Sequence, residues 1–106
     1  SKADALNLSK DEVMTLASIV QKETAKVDER PRVAGVYMNR LKRGMPLQAD
    51  PTVIFAIKEK ANDFDKVIKR VLYKDLEIDS PYNTYKNVGL PPGPILIPEK
   101  TTLNAG

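Results

Sequence analysis

The chain has no cysteine and no histidine in its 106 residues. Without thiols there is no disulfide framework, no thiolate metal site and no cysteine nucleophile, and the redox compartment cannot be read. Without imidazole the commonest general base and metal ligand is missing, so any acid–base chemistry falls to Asp, Glu, Lys or Tyr. No apolar run is long enough to span a membrane, and the opening SKADALN is not a signal peptide, so these residues are expected to be soluble. No internal repeat, metal-ligand spacing or phosphate-cradling glycine loop is present; GLPPG at 89–93 is stiffened by proline and lacks a strand-to-helix context.

What is there suits one small domain, 1–106, with 42% hydrophobic residues for a modest core. The 17 basic residues are interleaved with 14 acidic ones, and a net charge of +3 is compatible with a polyanionic partner without requiring one. The chain starts without Met and stops at LNAG in mid-pattern, so it reads as an excised piece of a longer protein.

The stretch from Leu8 to Val27 has helical periodicity. Ser9 and Glu12 form a capping box that fixes the start, and Leu8 can staple onto Val13. Val13, Leu16, Ala17, Ile19, Val20 and Val27 fall on an apolar arc, with Thr15, Ser18, Gln21, Lys22 and Lys26 opposite. Glu23 lies inside the apolar arc. With Ile19, Val20 and Val27 as neighbours, its carboxyl is expected to point inward, where desolvation favours the protonated form that a general acid needs. The alternative is that Glu23 marks the edge of the stripe and reaches solvent.

A second helix opens at Asp28-Glu29, tolerates Pro31 in its first turn and closes at Gly44, burying Val33, Ala34, Tyr37, Met38 and Leu41. Arg32, Arg40 and Arg43 cluster elsewhere on it, as a solvated face suited to the helix C-terminus more than as a nucleic-acid surface. Residues 45–49 read as a short extended segment, Asp50-Pro51 as an N-cap followed by Pro, and Val53, Ile54 and Ile57 as a third helix. Residues 58–69 form a surface excursion, helical in part from Asp65, and 71–78 contain a short strand. Five of the eight prolines lie between Pro81 and Pro98, interleaved with tyrosines and Ile95-Leu96-Ile97, which suggests a packed wall more than a linker.

Three polar groups stand out: Glu23-Thr24; Gln48, Asp50 and Thr52; and Tyr82, Asn83, Thr84 and Tyr85. Amide, hydroxyl and aromatic side chains beside one carboxyl suit a sugar-binding cleft, whereas each taken singly is explained by turns, caps and core.

The segments LASIVQKET (16–24), ERPRVAGVYMNRL (29–41), GMPLQADPTV (44–53), SPYNTY (80–85) and GLPPGPI (89–95) together resemble the YceG-like family, the endolytic murein transglycosylases often called MltG. The resemblance runs from about Glu12 to about Pro98. It implies an α+β, helix-dominated, lysozyme-like catalytic domain with short strands and a Pro/Gly-rich loop wall. It also implies peptidoglycan glycan strands as substrate, Glu23 as catalytic acid and base, and Gln48, Asp50, Thr52, Tyr82, Asn83, Thr84 and Tyr85 as substrate-binding, with no metal or cofactor. Where relatives often carry another Glu, Gln21 stands here, leaving Glu23 as the carboxylate of KET. Family members add an N-terminal membrane helix, a LysM-like domain and a C-terminal segment with a histidine, none within these residues. The expected setting is the extracytoplasmic face of the bacterial cytoplasmic membrane, with cell-wall synthesis proteins as partners and no nucleic acid. The alternatives are a catalytically silent peptidoglycan-binding or scaffold module and a lysozyme-type hydrolase.

Overall fold

The computed structural model describes residues 7–96. The element order is α1 (Lys10–Glu23), a 3-10 turn (Val27–Glu29), α2 (Arg30–Arg43), α3 (Asp50–Lys60) and a second 3-10 turn (Tyr73–Glu77). No helix among them is long and apolar enough to cross a membrane. The expectations for Ile97 and Pro98 lie outside the described residues.

The capping box at α1 is present, with Glu12 N donating to Ser9 Oγ at 3.1 Å and Ser9 N to Glu12 Oε1 at 2.9 Å. Its far end is set by Thr24. That residue leaves helical geometry at φ −143°, ψ 134°, while its N–H still reaches Val20 O. Its hydroxyl then donates to Glu29 Oε2 and accepts from Lys26 N, and its carbonyl accepts from Arg30 Nε. Thr24 thus turns the chain into α2, and α1 ends on Glu23 instead of running to Val27.

The buried face of α1 is also rotated from the apolar arc. Leu16, Ile19 and Val20 are buried as expected, but so are Thr15 and Ser18, while Val13 (40%) and Val27 (69%) are exposed. The small hydroxyls are admitted because each has a partner: Thr15 Oγ1 donates to Asp11 O, and Ser18 Oγ donates to Thr15 O and accepts from Ile95 N at 3.0 Å. Seating the 89–96 segment on Ser18 turns that side of α1 inward. Val13, Ala17 and Val27 instead line an open apolar groove with Pro31, Ala34 and Met38 of α2.

α2 carries Pro31 in its first turn and ends in a Schellman pair, Gly44 N to Leu41 O and Met45 N to Arg40 O, with Gly44 left-handed at φ 68°. Leu16, Ile19, Val20, Tyr37, Leu47, Ala49 and Ile95 form the core, with Leu8, Val33, Met38, Leu41, Phe55 and Leu90 packed against it.

The described residues contain no strand, so the α+β expectation is corrected to a helical one. Leu47 and Ala49 are buried and Gln48 is exposed, the alternation that reads as β, but Gln48 sits at φ 51° and breaks the extended run. The backbone groups of 47–49 pair elsewhere: Leu47 O accepts from Arg40 Nη1, Gln48 N donates to Thr84 O, and Ala49 N donates to Thr84 Oγ1. Around Leu72, the Asp75 carboxylate accepts from Leu72 N while Asp75 N donates back to Leu72 O, which curls 73–77 into a 3-10 turn. The partial helix expected from Asp65 is an irregular excursion.

Candidate functional site

Glu23 is exposed, not desolvated within the apolar arc, because Thr24 ends the helix directly after it and Val27 swings out to solvent. Its carboxylate is nevertheless held. Tyr37 Oη, one helix away on a residue only 3% exposed, donates to Glu23 Oε1 at 2.8 Å. Burial, and then the bond to Glu23 and its charge, push the Tyr37 phenol well above the ordinary tyrosine range, so it remains a donor.

Asp50 is not the N-cap of α3. Ala49 occupies that position without a side-chain bond, and Asp50 is the first helical residue, with Pro51 next. Asp50 is exposed, and its carboxylate accepts a hydrogen bond from Tyr85 Oη. Partial burial, followed by that bond and the charge of Asp50, pushes Tyr85 up to about 12.

The two tyrosine–carboxylate pairs form one electrostatic group. The charge of Asp50 also acts on Tyr37, that of Glu23 also acts on Tyr85, and Arg40 opposes both by lowering each phenol. Arg40 is anchored by its bond to Leu47 O at 2.6 Å, which holds its cation within electrostatic reach of the two phenols. Gln48 follows directly, its side chain exposed and its backbone left-handed. Glu23, Asp50, Tyr85 and Gln48 are therefore gathered around Arg40 and Tyr37 by the ends of α1 and α2, the start of α3 and the 80–87 loop.

Tyr37 and Arg40 are not among the site residues expected from the sequence. Tyr37 reads as core and Arg40 as part of a solvated arginine face, yet Arg40 is half-buried whereas Arg32 and Arg43 are exposed. One signal was available. The two are three residues apart on one helix face, and a buried tyrosine needs a partner for its hydroxyl.

Thr52, Asn83 and Thr84 are fully buried or nearly so and present no surface to a ligand, which corrects their expected contact with sugar to a supporting part. Asn83 Nδ2 donates to Leu76 O and Ile78 O, both at 2.9 Å, and its Oδ1 accepts from Tyr85 N, so the amide fixes the loop that carries Tyr85. Thr52 Oγ1 donates to Ala49 O, which leaves the Thr84 hydroxyl to donate to Thr52 Oγ1 while it accepts from Ala49 N. Tyr82 is half-buried and packs on Phe55 at a centroid separation of 4.6 Å; Phe55 in turn meets Phe64 at 5.5 Å. That aromatic row braces α3 from the loop side.

The YceG-like family model matches residues 1–106. The chain belongs to the YceG-like family. Among its relatives is a Bacillus subtilis (strain 168) protein named endolytic murein transglycosylase, 51% identical over 88 residues that span 83% of this chain and 22% of that protein. A Streptococcus pneumoniae (serotype 2, strain D39) protein of the same name is 45% identical over 84% of this chain and 16% of its own length. A crystal structure of a YceG-like protein from Listeria monocytogenes superposes with a TM-score of 0.74 at 40% identity, covering 98% of this chain and 32% of that one. This YceG-like chain spans about a fifth of the length of the curated relatives it matches.

Proposed function

We propose that this chain is the catalytic-domain portion of an endolytic peptidoglycan lytic transglycosylase. It would cleave the β-1,4 bond between N-acetylmuramic acid and N-acetylglucosamine and leave 1,6-anhydromuramoyl ends. The reading rests on 51% identity to a protein named endolytic murein transglycosylase. The exposed Glu23 at the end of α1 supports it.

In this mechanism the Glu23 carboxyl gives its proton to the glycosidic oxygen as the bond to the muramoyl anomeric carbon breaks. The resulting carboxylate then takes the proton of the muramoyl 6-hydroxyl as that oxygen bonds to the anomeric carbon. Glu23 ends protonated, no water is consumed and no electrons change hands. The attack is intramolecular, so one acid–base group suffices where a hydrolase needs a second carboxylate as nucleophile or water activator. Asp50 and Tyr85 would stabilise oxocarbenium character. Gln48, Tyr85 and Tyr82 would position the sugars, with the 89–96 segment as a wall. Nascent glycan strands at the extracytoplasmic face of the membrane are the proposed substrate, reached by a longer, membrane-anchored protein that trims or terminates them beside cell-wall synthesis proteins.

Digestion of purified glycan strands by the full-length protein in heavy-oxygen water, read by mass spectrometry, tests this. Anhydro ends lighter than hydrolysed ends by one water and free of label are expected. Labelled reducing ends as the main product would instead mean a lysozyme-type hydrolase that recruits Asp50, the one other carboxylate of the group. Binding without any cleavage would mean a silent glycan-binding module.

A further inference from the structure

Glu23 presents its carboxylate from the last residue of a helix, in the open, where a flexible side chain has several rotamers to choose from. Among the described residues one polar contact restrains it, the bond from Tyr37 Oη to Oε1 at 2.8 Å, and Oε2 accepts nothing. The donor itself is rigid. The Tyr37 ring is buried in the core with Leu16, Ile19, Val20 and Leu47 on a helix clamped at its C-terminal end, so the phenol can hold one point in space without moving.

We infer that Tyr37 is a positioning residue that fixes the Glu23 carboxyl and reserves Oε1, so that Oε2 is the oxygen that passes the proton to and from the glycan. The inference rests on Glu23 being the acid–base group proposed above. A carboxyl free to turn would present the proton from either oxygen and along the wrong line in a large share of encounters, whereas one held at Oε1 by a buried donor presents it from Oε2 along one line. Being raised well above the ordinary tyrosine range, the phenol keeps its proton and does not compete with Glu23 as the transferred acid. Arg40, one turn further along α2, and Asp50 are the charged groups that face the same phenol, and neither is bonded to Glu23.

The test is a double-mutant cycle in the full-length protein with glycan strands as substrate. Tyr37→Phe keeps the ring and its packing, so the melting temperature is expected to hold. kcat should fall by about 10- to 100-fold with KM unchanged, the split expected when geometry at the reacting atoms is lost and substrate binding is not. Adding Tyr37→Phe to Glu23→Gln should then cost nothing further, because the phenol acts only through that carboxyl. An unchanged kcat in Tyr37→Phe overturns the inference, as does a fall in kcat that tracks a fall in melting temperature, or a further loss in the double variant. If Glu23→Gln alone retains wild-type turnover, the failure lies in the assignment of Glu23, and the inference falls with it by a result that no Tyr37 variant can imitate.

Discussion

The side-chain oxygens of Thr52 and Thr84 lie 2.8 Å apart, 32 residues distant in sequence and both buried. They complete a ring of hydrogen bonds, from Ala49 N to Thr84, from Thr84 to Thr52 and from Thr52 back to Ala49 O, that fastens the first turn of α3 to the loop carrying Tyr85. Thr84→Val removes the acceptor of a buried backbone N–H. It should cost about 1 to 3 kcal/mol, measured by chemical denaturation of the full-length protein. A change under about 0.5 kcal/mol would show that the ring carries no net stability.

Glu23→Gln should leave the fold intact and lower turnover strongly, to a residual rate. The side chain is exposed and the amide oxygen can still accept from Tyr37, but the transferable proton is gone, so activity on glycan strands should drop by at least about 10²-fold at unchanged melting temperature. Wild-type turnover would place the chemistry elsewhere.

Asp50→Asn tests the second carboxylate. Asp50 caps nothing, and an amide oxygen can still accept from Tyr85, so stability should be kept. Loss of its charge beside the reacting sugar should lower turnover by roughly 10-fold or more. Equal turnover and equal stability would leave Asp50 without a catalytic part.

Tyr85 gives the alkaline side of the stability profile a definite sign. Its folded-state value of about 12 lies above the ordinary 10.0, so between the two the unfolded chain loses this proton while the native chain keeps it. The native state then binds more protons and stability falls as pH rises. The contribution is fully present below pH 10 and gone once pH passes about 12; Tyr37 acts in the same direction. Tyr85→Phe should flatten the loss of melting temperature across that window, and an unchanged slope would contradict the assignment.

Gln48 is held at φ 51°, a conformation that costs a non-glycine residue about 1 kcal/mol. Gln48→Gly should therefore be neutral or stabilising by up to about 1 kcal/mol, since relief of strain is partly offset by the greater freedom of the unfolded chain. If the exposed amide contacts sugar, the same variant should raise KM. A gain in stability with KM unchanged would assign Gln48 to the turn alone.

Local signals located the helices well. Ser9 and Glu12 mark the start of α1, Pro31 and Gly44 bracket α2, and Val53, Ile54 and Ile57 mark α3. What misled was orientation. The apolar arc of α1 could not reveal that Ser18 would receive the N–H of Ile95, because that bond is set by residues 77 apart, and with it Val13 and Ala17 turn outward. Glu23 is not inward, for a local reason: the side chain of Thr24 finds two partners, Glu29 and Lys26, and its carbonyl a third, Arg30, outside helical geometry, so α1 ends on Glu23. An extended segment is expected at 45–49 and a strand within 71–78 because alternation of buried and exposed positions is also what a side-chain-tethered loop produces. Within the candidate site, carboxylates and amides were legible as residue types, whereas Tyr37 and Arg40 became visible only once α1 and α2 were packed.

The hydrogen bond between Ser18 and Ile95 has a temporal consequence. It closes a loop of 77 residues, and the entropy of closing a loop must be met before the contacts it brings together can repay it. A chain emerging from the ribosome N-terminus first has α1 and α2 available early, each marked by its own terminal signals, but the side of α1 that seats Ile95 stays open until nearly all the described residues have been made. Thr84 and Tyr85 are also late arrivals. The carboxylates thus acquire their fixed surroundings at the end of folding, and an incompletely synthesised chain carries Glu23 without the assembled group around it.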